Sequence, residues 1–166
     1  MALMSIGIET YKGSETQHFF SEPQKRLVEA WAHGYHKLND SAAHLGLAVG
    51  TVKHSGYTIT SMMDEGPGTD RVAKAVAYSA QNGWIDPSSF PDSIERKLTE
   101  AETLALTLRV LGLSRKEVAV RLKTTEVEIA NNLDAINRLI GTKDDNGAIA
   151  WAILKVLKKP QAVEAK

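Results

Sequence analysis

Two sets of side chains have the types and spacing to meet a macromolecular partner. In the first half, His54, Tyr57 and Ser61 fall on one side of a helix, with Lys53 at its edge and Thr51 and Thr58 beside them. An ammonium there can neutralise a phosphate or bond a guanine, and the ring and hydroxyl groups can meet base edges. Residues 48–61 contain no acid. In the second half, Glu126, Glu128, Asn131, Asp134 and Arg138 occupy a comparable face, with three carboxylates against one guanidinium. Carboxylates repel phosphates, so this second set points either to a basic protein partner or to a plain solvated face.

Other chemistry finds less support. His33 and His36 have a metal-sharing spacing, but Gly34 between them is expected to end the helix, and no carboxylate or cysteine completes a site. His18, His33, His36, His44 and His54 therefore read as ordinary surface histidines. Cysteine is absent, which excludes disulfides and thiolate nucleophiles. No Ser/His/Asp pattern, phosphate-cradling glycine loop or convergent carboxylate pair is visible. No catalytic residue, metal or cofactor is expected, and an enzyme is not the reading.

The elements that position the two sets are helical and occur twice. Residues 20–34, FSEPQKRLVEAWAHG, and 98–112, LTEAETLALTLRVLG, each open on a hydroxyl N-cap (Ser21, Thr99) and close on a glycine (Gly34, Gly112). In the second, Ala101, Leu104, Ala105 and Leu108 form the stripe of a packed face. Short helices follow, ending in residues 41–45 and 118–122. The turns Gly46-Leu47 and Lys123-Thr124 then lead into a third helix. Its apolar positions are Val52, Gly56, Ile59 and Met63 in one copy and Ile129, Leu133, Ile136 and Ile140 in the other. Both sets have offsets of 0, 4, 7 and 11, which keep one side of a helix buried. Gly56 is read as a close-packing contact rather than a bend. Fourth helices cover residues 71–81 and 147–157. Trp31, Trp84 and Trp151 are expected at helix junctions.

The fold class is therefore all-α: two tandem four-helix helix-turn-helix units. The boundaries are an extension over residues 1–19, a first unit over 20–85, a linker over 86–97, a second unit over 98–157 and a tail over 158–166. Strand-like alternation is confined to a short stretch near residues 6–11.

The second unit resembles the LuxR-type (GerE-like) helix-turn-helix family. The resemblance rests on Leu98-Thr99, Glu102, Leu106, Gly112-Leu113-Ser114, Lys116-Glu117-Val118-Ala119, Leu122, Leu133, Ile136, Gly141 and Ala148. The first unit is similar more loosely, through Phe20-Ser21, Gly34, Ala42, Leu45, Leu47, Thr51-Val52-Lys53 and Arg71, with Gln24 where the family carries Glu. By this resemblance the DNA-reading positions are Lys53, His54 and Tyr57 in one unit and Ala130, Asn131 and Asp134 in the other. It also implies that the fourth helices mediate pairing, within the chain or between copies as a homodimer, with Trp151 partly at the interface.

The function implied is a transcriptional regulator that binds double-stranded DNA mainly through the first unit. The alternative is an anti-activator type of regulator that engages another transcription factor or RNA polymerase. Twenty Lys and Arg balance twenty Asp and Glu, so any basic face must be local. The N-terminus has neither a basic lead nor a long apolar core, and a cytoplasmic protein with no membrane partner is expected.

Overall fold

The computed structural model describes residues 18–63, 66 and 68–157. The strand-like stretch near residues 6–11, most of the N-terminal extension and the tail 158–166 lie outside them. Among the described residues the fold is all-helical: α1 (Glu22–Ala32), α2 (Leu38–Leu45), α3 (Val49–Met62), α4 (Arg71–Gln81), α5 (Glu100–Val110), α6 (Arg115–Arg121), α7 (Glu126–Ile140) and α8 (Asp145–Trp151). A 3-10 turn covers Pro87–Ser89, and α8 continues into a π-helical turn over Ala152–Leu157. The eighth helix thus begins two residues earlier than its apolar pattern indicates, because Asp144 caps it by accepting from the Asn146 and Gly147 amides.

The two first helices start and stop by the same devices. The Gln24 amide donates to Ser21 Oγ (3.3 Å) while the Ser21 amide donates to Gln24 Oε1 (2.8 Å). At α5, Thr99 and Glu102 make the same exchange at 3.1 and 2.8 Å. Each of these helices runs for 11 residues. Beyond each lies a left-handed glycine, Gly34 at φ 90° and Gly112 at φ 94°. The turns into the third helices match as well: Gly46 takes φ 66° and Lys123, without a glycine's freedom, φ 55°.

Both third helices bury the anticipated series. Val52, Ile59 and Met63 are buried, as are Ile129, Leu133, Ile136 and Ile140. Gly56 lies over Trp31, but a Cβ built there would stand 3.5 Å from Trp31 Cζ2, an ordinary contact. The packing is close without requiring glycine. Gly56→Ala is expected to raise stability by about 1 kcal/mol, the helix-propensity difference; a lower urea midpoint at constant slope would show that the methyl group does not fit.

The stripe expected on α5 needs correction. Of its members Ala105 is buried, Leu104 and Leu108 are half-buried and Ala101 is exposed, while Glu102, Thr103, Leu106, Thr107, Arg109 and Val110 are buried beside them. Apolar spacing misjudged this face because its polar groups are satisfied locally. Thr103 Oγ1 donates to the Thr99 carbonyl, Thr107 Oγ1 donates to the Thr103 carbonyl, and Glu102 accepts two bonds from Arg96.

One apolar core runs through both halves. α4 packs along α8, and α8 also meets α1 and α5. Every residue of α8 is buried, including Trp151, whose Nε1 donates to the Pro91 carbonyl (3.1 Å). The fourth helices pair with each other inside the chain, the within-chain form of the expected pairing. Trp151 is a core residue, not an interface residue.

The contacts between halves are reciprocal. A Cβ on Gly34 would strike Lys143 at 2.6 Å, and one on Gly112 would strike Lys74 at 2.6 Å, so each closing glycine sits under a lysine of the other half. The Asp70 amide donates to the Gly112 carbonyl (2.8 Å), and His36 Nδ1 lies 3.0 Å from Asp144. Asp70 and Asp144 are the N-caps of α4 and α8. Residues 86–97 are fastened down rather than hanging between the halves. Phe90 is buried against His33, the Asp86 amide donates to Glu29 (2.9 Å), and Asp92 pairs with Lys155.

Candidate nucleic-acid interface

α3 places its named residues as helical geometry requires. With Val52 and Ile59 inward, Thr51, Lys53, His54, Tyr57 and Ser61 are exposed, Tyr57 at 74 %, and Thr58 is half-buried. Thr58 Oγ1 donates to the His54 carbonyl (3.0 Å) and Ser61 Oγ to the Tyr57 carbonyl (2.7 Å). These two hydroxyls keep acceptor capacity for a partner but have committed their protons. Lys53 makes no ion pair with any described residue.

The start of α3 is open. Ala48 stands at the N-cap with no side-chain cap, the first turn holds no acid, and nothing lies within 4 Å of a Cβ at Gly50. Ala48, Val49 and Gly50 are all exposed. Such an end carries the positive pole of the helix dipole and favours an anion. The start of α7 is the opposite: Thr125 caps the Glu128 amide, and Glu126 and Glu128 occupy the first turn.

On α7, Glu126, Glu128, Asn131, Asp134 and Arg138 are all exposed. The five are not equivalent. Asp134 accepts from Arg115 Nη2 at 3.0 Å and so belongs to an ionic network. Glu126 and Glu128 remain outward, with Val127 between them at 68 % exposure and Val120 of α6 at 62 %.

That network, anchored on Asp145, is not apparent from the residue spacing. Asp145 is 5 % exposed, and its carboxylate accepts from Arg109 Nε (3.0 Å), Arg115 Nε (2.8 Å) and Nη2 (2.7 Å), and Asn137 Nδ2 (3.1 Å). Arg109 Nη1 also donates to Asp70 (3.0 Å) and to the Leu113 carbonyl (2.7 Å). It ties α5, α6, α7 and α8 to the start of α4.

Burial alone would push the Asp145 carboxyl up. Hydrogen bonds from Arg115, the charges of Arg109 and Arg115, and the Asn137 amide outweigh it and hold the group below the usual carboxylate range. Glu102 is lowered too, by its hydrogen bond from Arg96 against a burial penalty. Groups with lowered folded pKa stabilise above their unfolded value and lose that stability as pH falls through the folded one. Asp144 is raised by burial, only partly opposed by His36, so its protonation works in the other direction. Stability is therefore expected to change little down to about pH 5 and to drop steeply below about pH 4, the unfolded carboxylate value. Urea midpoints from pH 7 to 2.5 check this; a flat profile below pH 4 would contradict it.

No helix among the described residues is long and apolar enough to cross a membrane, and no group of three or more His, Cys, Asp or Glu there is placed to hold a metal ion. No family model, curated protein or solved structure matches the chain.

Proposed function

We propose that the chain is a cytoplasmic transcriptional regulator that binds duplex DNA through the outward face of α3, each half presenting a helix-turn-helix step. One observation carries the reading: α3 offers an exposed Lys53, His54 and Tyr57 and an uncapped, acid-free start, whereas its counterpart α7 carries Glu126 and Glu128 there. The α2–α3 turn, Gly46-Leu47-Ala48, has the length such a step uses. The LuxR-type resemblance agrees with this assignment. Fluorescence anisotropy on labelled duplex should give saturable binding that weakens with salt, because each neutralised phosphate releases counterions. No binding at low salt would refute it.

A second reading has its own observation. Val120 on α6 and Val127 on α7 are large apolar side chains left exposed, and Glu126 and Glu128 stand on either side of Val127 in the chain. An exposed apolar side chain between two acids suits a basic segment of another transcription factor or of RNA polymerase. Glu126→Gln with Glu128→Gln separates the two roles, and Asp134 is left intact because Arg115 needs it. If α7 lies beside phosphates, the substitutions should tighten binding to duplex of any sequence several-fold at low salt. If it is a docking face, a co-purifying protein is lost and duplex affinity stays put. Neither change would leave α7 as a solvated helix.

A further inference from the structure

A cavity of about 330 Å³ opens at the seam between the halves, lined by the last turn of α1, the segment around Phe90 and the α7–α8 turn. We infer that it binds a small planar organic anion of the aromatic-carboxylate class. This site is separate from the α3 face and does not depend on the DNA-binding proposal.

Charge is the first argument. Lys143 lines the cavity together with His33 and His44, and no carboxylate does. The Lys143 ammonium lies 4.1 Å from the centre of the Tyr35 ring and pairs with no carboxylate among the described residues. A cation that no described carboxylate neutralises, on the lining of a partly enclosed space, favours an anion there. Imidazole N–H groups and the Ser89 hydroxyl on the same lining add donors that a carboxylate can accept from.

Shape is the second. Two stacked ring pairs stand at this site, His33 on Phe90 (5.4 Å, 12°) and Tyr35 on His44 (4.0 Å, 11°). With Ile140 and Ala32 they line the cavity with ring and apolar carbon that an inorganic anion would leave unused. The volume is at the lower end of small-molecule sites, enough for a single substituted ring. Ring-lined walls and an ammonium that no described carboxylate neutralises together select a flat ligand with one charged end.

Benzoate is the probe, titrated into isotope-labelled full-length protein and followed by amide NMR shifts. The expected result is saturable shifts confined to the neighbourhood of Phe90, Thr142 and Lys143. Benzamide, the neutral isostere, and Lys143→Gln with benzoate should each weaken binding about tenfold, the loss of one charge-assisted bond. Lys143→Arg should retain affinity and shows that the effect is charge rather than misfolding beside Gly34. Inorganic phosphate should compete poorly. Non-saturating or scattered shifts, equal affinity for benzamide, or full competition by phosphate would each overturn the assignment.

Discussion

Asp145→Asn is expected to cost about 3–5 kcal/mol of folding stability, the penalty for removing one partner from a buried ion pair. The asparagine keeps the shape and can still accept bonds, but the negative charge is lost. Arg109, whose side chain is 6 % exposed, then keeps only Asp70 and the Leu113 carbonyl for its charge. Arg115 keeps only Asp134, which is half in solvent. Because the network joins α5, α6, α7 and α8 to Asp70 at the start of α4, the loss should appear as one cooperative transition. Urea unfolding at pH 7 measures it directly. The acid-induced loss of stability should also flatten in this variant, since Asp145 supplies part of it. A change below about 1 kcal/mol would place Asp145 among near-neutral surface pairs and contradict the network.

Lys53→Ala with Tyr57→Ala should weaken sequence-specific duplex binding by about one to three orders of magnitude, each base contact being worth roughly 1–3 kcal/mol. Both side chains are exposed and neither is packed in the core, so circular dichroism and the urea midpoint should barely move. The single variants are expected to differ in kind. If Lys53 meets a phosphate, its loss lowers the salt slope by about one unit and acts on every sequence alike. Tyr57 carries no charge, so its loss should leave the slope unchanged and relax discrimination between sequences. Equal affinity of the double variant for its best duplex would remove α3 as the reader.

Much of the fold was legible because the deciding signals are local or periodic. Ser21 and Thr99 cap their helices by accepting from the amides three residues on, and Gly34 and Gly112 end them in a conformation glycine tolerates. The buried series of α3 and α7 follows from the helical period alone, and it puts His54, Tyr57, Asn131 and Asp134 outside. What was not legible depends on residues far apart in the chain. Arg109 and Asp145 are 36 positions apart, and nothing in either neighbourhood shows that each is buried by the other. The α5 stripe was misplaced for a different reason: Glu102, Thr103 and Thr107 are satisfied by groups close in the chain and so are buried where an apolar pattern expects solvent. Asp134 was read as a free acid because Arg115, on another helix, is invisible to spacing. The resemblance implied pairing by the fourth helices, within the chain or between copies, and only the assembled chain shows that α4 and α8 pack on each other.

The central claim is that α3 reads duplex sequence and α7 does not. Selection from a random duplex pool with the full chain, sequenced over successive rounds, tests it most directly. The account predicts one enriched motif, retained by the Glu126→Gln, Glu128→Gln chain and lost from the Lys53→Ala, Tyr57→Ala chain. A pool that stays random with the wild-type protein, or a motif that survives the α3 substitutions, would contradict it.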